Sequence, residues 1–553
     1  MNNTMWKRVM VLLMAMVMLA SCLMGCNGDG GDNKTESPDG KKTVSFVAVE
    51  DTDLSSLLKE LAEEGINETT QDNRWTRLFE ETLNIDITFN WVANGWDQKR
   101  ERLGLSLADP KSLPDVISFD DLGMALDAYK GGLTMDLKEA FDLYASDLVK
   151  EFFNTIDGQA LMAQATVDGE LVALPGIASS TVQCPILYVR KDWRESLNIE
   201  PVDSREDILN LIKAFAENID GAYGFGMNGN MSQYVGKLDG FTAMYGSLAQ
   251  AWYEVDGEIV YGGIQDETYD ALMELRAMCL KEGRYNDASA NYLSPEWISK
   301  SETTLNEDIK NGKVGVVIAP VWLPWNAIQE NIKLDPNAEW ECYTLFDEDG
   351  IATVNADVYA RSYIGVNKTL DDPKLFFDMV NLYFEKMWGE TKEPLYYGGD
   401  SNHDNFWHLS PIQFLNPLGD VYEYDNYMGV INDTVGVEEV ANADYIKELH
   451  NKFQAGAEMN ANEKVSWFMY GFDGTASVLK EYRENDKLLT SWKYVLTSRT
   501  TFGSIQDTTF VSIITDPDVD TEALWDHFVT TWTEKGGQKL LEEYNDWYDG
   551  VSK

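Results

Sequence analysis

The segment Asn311-Gly312-Lys313-Val314-Gly315-Val316-Val317-Ile318-Ala319-Pro320-Val321-Trp322-Leu323-Pro324-Trp325 decides how this chain is read. Val314 to Ala319 is an uninterrupted apolar run of strand length, and the loop after it carries two prolines and two tryptophans. Working outward, further strands are expected at Val44 to Val49, Ile85 to Asn90, Asp115 to Phe119, Leu171 to Leu174, Ile186 to Arg190, Tyr363 to Val366 and Thr509 to Ile514. Helical periodicity lies between them. A helix from about Asn73 places Trp75, Leu78, Phe79 and Leu83 on one face, and others are expected over Arg205 to Glu217, Glu267 to Glu282, Pro373 to Lys386 and Val437 to Lys452. Thr521 to Trp547 reads as helix with a break at Gly536-Gly537. Strands and helices alternate over the whole chain with no proline-rich linker and no internal repeat, which is an α/β pattern.

The composition narrows the function. With 553 residues the chain is long enough for more than one globular unit, and 44% hydrophobic residues exclude a disordered chain. Lys and Arg number 44 against 93 Asp and Glu, and a formal charge of −49 repels nucleic-acid backbones, so no nucleic-acid partner is expected. Lys7 and Arg8 precede the apolar run Val9 to Ala20, which has signal-peptide length and is too short to span a bilayer. Leu23-Met24-Gly25-Cys26 resembles a bacterial lipobox, in which the cysteine is acylated, and Leu19-Ala20-Ser21-Cys22 fits the same pattern. Cys26 is preferred because the polar, glycine-rich stretch Asn27 to Asp32 follows it as a tether. Besides the anchor, Cys184, Cys279 and Cys342 then read as small buried hydrophobes.

Catalytic and metal motifs are scarce. Gly224-Phe225-Gly226-Met227-Asn228-Gly229 matches a dinucleotide fingerprint, but the polar stretch before it supplies no strand. Asp516, Asp518 and Asp520 begin like a calcium loop, yet Thr521 stands where glycine is needed and His527 where glutamate is needed. No cofactor and no metal are expected.

Four motifs in chain order carry a resemblance. Pro114-Asp115-Val116-Ile117, Leu187-Tyr188-Val189-Arg190-Lys191-Asp192-Trp193, the Asn311 to Val316 segment followed by Trp322, and the stretch from Gly536-Gly537 to Asn545-Asp546-Trp547-Tyr548 together look like family 1 extracellular solute-binding lipoproteins, the capture subunits of ABC importers for oligosaccharides. The resemblance implies a type II periplasmic-binding fold, with two α/β lobes and a ligand cleft between them. It divides the chain into a lipoprotein signal peptide (1–25), a flexible tether (26–42), lobe 1 (43–179 with 352–389) and lobe 2 (180–351 with 390–553). It also implies a protein on the outer face of the bacterial cytoplasmic membrane that hands its ligand to permease subunits and performs no covalent chemistry. The calcium loop that relatives carry is reduced here to Glu217 to Gly221.

Sugar rings stack their CH faces on indoles and phenols, while their hydroxyls need carboxylates, amides and arginine. Ligand candidates are therefore Trp322 and Trp325 in the loop where the family places a stacking tryptophan, and Asp120 and Asp121 just after a strand. Tyr359 and Arg361 at the return to lobe 1, Tyr397 and Trp407 in an irregular stretch, and Trp96, read as an exposed residue, complete the set. Asp121 is alternatively a helix N-cap, the role expected of Asp192, Trp322 is alternatively core, and Arg361 alternatively half of a structural ion pair. Rival functions are a peptide-binding importer component, a surface glycoside hydrolase and an adhesin.

Overall fold

The computed structural model describes residues 41–551 except 233, 358–359, 398–405, 418, 437–439, 441–442 and 492–499. The signal peptide, Cys22, Cys26, nearly all of the tether and Tyr359 lie outside the described residues.

Two separate hydrophobic cores form, each around its own sheets. In the first, Lys42–Val49 pairs in parallel with Ile85–Ala93. Beside this pair, Ala360–Val366 runs antiparallel between Val116–Phe119 and Leu174–Ile177. Ser45 ties the two pieces together, its amide and hydroxyl donating to Asp115 Oδ2 at 2.9 and 2.7 Å. The expected strand Leu171 to Leu174 is divided, into Glu170–Leu171 and Leu174–Ile177. Helix Arg74–Leu83 starts at Asn73, whose side chain accepts from the amides of Trp75 and Thr76 while its own amide donates to Thr76 Oγ1. That cap fixes the face on which Trp75 and Phe79 are fully buried, with Trp75 stacked at 4.8 Å on Tyr383.

The second core surrounds a five-stranded sheet in the order Asn291–Leu293, Tyr223–Gly226, Val314–Pro320, Pro185–Arg190, Trp340–Tyr343. Every residue of Val314–Pro320 and Pro185–Arg190 is buried, which explains the unbroken apolar runs in place of an alternating pattern. Trp193 packs edge-on to Phe215 of helix Arg205–Asn218. Asp192 does not cap the short helix Lys191–Ser196: the helix begins one residue earlier, and the Asp192 carboxylate takes both Nε and Nη2 of Arg190.

One strand expectation is overturned. Thr509 to Ile514 lies inside helix Thr500–Thr515, which packs on helix Asp266–Leu280. Its buried residues Phe510, Ile513 and Ile514 have helical spacing. The hydroxyls of Thr508, Ser512 and Thr515 donate to carbonyls four residues back, so the β-branched residues are accommodated on the helix by satisfying themselves locally. The break at Gly536-Gly537 is a π turn: Gly536 has φ 106°, and a Cβ on Gly537 would sit 2.3 Å from the Trp532 ring.

The chain passes between the cores three times. It leaves the first through Ala178–Cys184 and returns between Val354–Asp357 and Ala360–Val366. The third passage, expected near Glu390, comes after Leu415, because Tyr396, Phe406, Leu409, Ile412 and Phe414 are packed in the first core. The stretch after Trp388 reads as irregular, but Trp75 Nε1 donates to the Phe406 carbonyl and Tyr383 Oη to the Phe414 carbonyl, which binds it to the first lobe.

The glycines of the false dinucleotide fingerprint serve packing. A Cβ on Gly224 would meet the Ile212 carbonyl oxygen at 2.2 Å, on Gly226 the Val314 side chain at 2.8 Å, and on Gly229 the Ile298 carbonyl oxygen at 1.9 Å. Gly224 is thus pressed against helix Arg205–Asn218, Gly226 against the neighbouring strand Val314–Pro320, and Gly229 against the turn Trp297–Ser299. Gly224→Ala is expected to lower stability by roughly 1 to 3 kcal/mol, as overpacking against backbone does, and thermal or urea unfolding measures it. An unchanged midpoint would show that the helix can slide away.

A candidate ligand cleft at the strand ends

The strand registers decide where a ligand can lie. Ala360 pairs with Ile177 and Tyr363 with Phe119, so the ends of Leu174–Ile177 and Val116–Phe119 share the edge at which the chain crosses. In the other lobe Pro320 pairs with Pro185, so the end of Val314–Pro320 meets the start of the strand that enters from the crossing. Both sheets thus present strand ends to the same connecting segments, the position that suits a ligand in open α/β sheets.

Residues just past those ends converge. Asp51 follows Lys42–Val49, Trp96 and Lys99 follow Ile85–Ala93, and Asp120 follows Val116–Phe119. Trp96 Nε1 donates to Asp51 Oδ2 at 3.1 Å, and Lys99 Nζ donates to Asp120 Oδ1 at 2.7 Å while lying 4.7 Å from the Trp96 ring. From the return crossing, the Arg361 guanidinium stands 4.4 Å over Trp407 and 5.9 Å from Trp96, with Nε donating to Gln413 Oε1 at 2.6 Å. Trp407 in turn stacks on His408 at 3.7 Å. Trp96, Lys99, Arg361, His408 and Gln413 line one cavity of about 50 Å³. It is smaller than the roughly 300 Å³ or more that a whole small-molecule ligand fills, so it suits one group of a larger ligand.

The electrostatics follow from burial. Lys99 is only 2% exposed, and desolvation pushes its pKa down, with Asp120 opposing and Arg361 and Arg100 adding to the depression. His408 is lowered to about 4, first by burial and then by Arg361, with Asp51 opposing, so its imidazole is neutral at physiological pH. Asp120 Oδ2 is buried without a hydrogen bond, its nearby cation being Arg100 Nε at 3.9 Å, and a carboxylate oxygen in that condition is a ready acceptor for a hydroxyl.

Four of the sequence candidates, Trp96, Asp120, Arg361 and Trp407, are therefore brought together, and Trp96 is half-buried where an exposed side chain was expected. Asp121 is engaged as an N-cap, accepting from the Met124 amide at 2.8 Å. Tyr397 rests half-buried against the first core. Trp322 is half-buried against the second core, and its Nε1 donates to Gln183 Oε1 of the first crossing at 3.3 Å. Trp325 is 41% exposed. Sequence reasoning missed Lys99, Asp51 and Gln413. The available signals were a lysine one helical turn after Trp96 and an aspartate just past a strand.

Among the described residues no group of three or more His, Cys, Asp and Glu could hold a metal ion. At the rejected calcium loop, Arg276 donates to the carbonyls of Ile513, Asp516 and Pro517, which puts a guanidinium where a cation's carbonyl ligands would be. Glu217 accepts from Lys213 and from Tyr292 Oη.

Because the folded His408 resists protonation while an unfolded histidine binds a proton near pH 6.5, the unfolded state takes up more protons as the pH falls from 6.5 to 4. Stability is fully present above pH 6.5 and falls through that window, by up to about 3 kcal/mol at its acid end. His408→Gln is expected to flatten this slope, and urea midpoints measured across the window check it. A His408 imidazole titrating near 6.5 by NMR would refute the assignment.

No protein-family model matches the chain. It is similar to the polygalacturonan/rhamnogalacturonan-binding protein YtcQ of Bacillus subtilis (strain 168), 20% identical over 554 residues that cover 97% of this chain and 98% of that protein. Similar solved structures include the alginate-binding protein AlgQ2 without calcium ion, 12% identical, covering 92% of this chain and 98% of that one with a TM-score of 0.58. The ABC-transporter substrate-binding protein FusA of S. pneumoniae in complex with kestose is 13% identical over 92% of this chain and 99% of that one, TM-score 0.58. An extracellular solute-binding protein from Bifidobacterium longum subsp. infantis is 14% identical over 94% and 100%, TM-score 0.59. The chain has the two-lobed α/β fold of the solute-binding proteins of ABC transporters.

Proposed function

We propose that this protein captures an oligosaccharide outside the cell and delivers it to the permease of an ABC importer, held at the membrane by a lipid on Cys26. The observation that carries the reading is the convergence, at the crossing ends of the strands, of two indoles, a guanidinium, a buried ammonium and a carboxylate oxygen that accepts no hydrogen bond. Indole faces suit the CH face of a pyranose, and the polar groups among them suit its hydroxyls. Trp322 and Trp325 supply the facing aromatic surface from the second lobe, with Asp121 and Tyr397 at the margins. A ligand that touches both lobes stabilises the closed arrangement over the open one, and no bond is made or broken. Among the described residues no helix is long and apolar enough to cross a membrane.

A thermal-shift screen against oligosaccharides is expected to find a stabilising ligand, and solution scattering a compaction on adding it, with no hydrolysis products. Trp322→Ala is expected to weaken that ligand by roughly 3- to 10-fold, from the value of one aromatic contact, while the apo protein melts as before. A stability loss of about 3 to 5 kcal/mol with unchanged affinity would make Trp322 a core residue instead. Turnover of the ligand would identify an enzyme.

Acylation needs the thiol, so Cys26→Ser is expected to release the protein from the membrane and Cys22→Ser to leave it anchored. Mass spectrometry of the mature N-terminus reads the site directly, and lipid on Cys22 would reverse the assignment.

A further inference from the structure

Resting on the capture reading above, we propose that the ligand is an acidic oligosaccharide and that Lys99 and Arg361 receive the carboxylate of one of its uronate residues. In a chain of net charge −49, the charged side chains that line the strand-end cavity among the described residues are these two cations. The rest of its wall is apolar or neutral: Thr70, Ser118, Ser362, Ser410, Gln413 and the neutral His408 among its polar members. The neighbouring carboxylates belong to the layer that positions the wall. Asp51 accepts from Trp96 Nε1 and from the Leu54 amide, Asp120 Oδ1 accepts from Lys99, and Glu50 accepts from the Thr70 hydroxyl.

A neutral sugar needs donors and acceptors but no buried ammonium. Taking Lys99 out of water is costly even with Asp120 beside it, and an anionic ligand group recovers part of that cost in the bound state. Long-range attraction cannot supply the affinity, because the field of the whole molecule repels an anion and salt screens it beyond roughly 8 to 10 Å. The discrimination therefore lies in contact inside the cleft, where the effective dielectric is low and charge-assisted hydrogen bonds are strongest.

Titration calorimetry with trigalacturonate, its fully methyl-esterified form and neutral galactotriose tests the proposal, because esterification removes the charge and keeps the sugar. Trigalacturonate is expected to bind about tenfold or more tightly than the ester. Arg361→Gln is expected to remove most of that preference while melting like the parent, and the comparison of acid with ester on the parent protein decides the matter should the variant fail to fold. Equal binding of acid and ester, or tighter binding of galactotriose, would overturn the uronate assignment and leave oligosaccharide capture standing. Binding of none of the three overturns the assignment as well, and failure of every oligosaccharide in the wider screen to stabilise the protein would overturn the capture reading itself.

Discussion

The chain crosses between two independently packed cores at the ends of their strands, and this arrangement constrains what else the molecule can do. Each lobe buries its own aromatic and aliphatic residues, so each can keep its internal packing while the segments between them change their torsions. The first two crossings sit where the registers that pair Ala360 with Ile177 and Pro320 with Pro185 put the strand ends. Residues that terminate strands are consequently the ones that face the partner lobe. Their side chains are released from core duty by position, which is why Trp96, Asp120 and Arg361 can be polar or amphipathic without weakening either sheet.

Charge is distributed in keeping with that division of labour. Among the described residues most of the acids lie at the surface, where each costs little and the collective field keeps copies apart. The cleft wall is different, because Lys99 and Arg361 are held there by Asp120, Gln413 and two indoles. Buried pairs of this kind seldom stabilise a fold relative to an apolar replacement, so their presence points to binding.

The fold was legible in the sequence to the extent that burial on both faces writes itself as an apolar run. Val314 to Ala319 and Ile186 to Arg190 are such runs, and both became central strands. Thr509 to Ile514 was misread because its β-branched residues have strand propensity while its burial follows a helical period, and tertiary packing on Asp266–Leu280 overrode propensity. The third crossing was misplaced because the attachment of Phe406 to Phe414 depends on hydrogen bonds to Trp75 and Tyr383, more than 30 residues or several hundred away in the chain, which no local pattern encodes. At the cleft, Trp96 and Trp407 are candidates from the sequence because an indole face suits a sugar ring, although neither was placed by a strand end. Lys99 was missed because a lysine on a helix is ordinarily a solvated residue, and only the fold reveals that it is covered.

Closure needs a difference in binding free energy between the open and closed arrangements; a ligand held equally well in both would shift nothing. The first lobe offers a wall already fixed by side-chain contacts, so a ligand group seated there gains little more when the lobes approach. The differential part must come from what the second lobe adds, and the loop after Val314–Pro320 is suited to adding it, since Trp322 is tied through Gln183 to the crossing itself. A contact made there reports ligand occupancy to the segment that must bend. Under the proposed function, the first lobe would set which sugar is held, through the chemistry of its wall, and the second lobe whether holding it changes the shape that a permease can read.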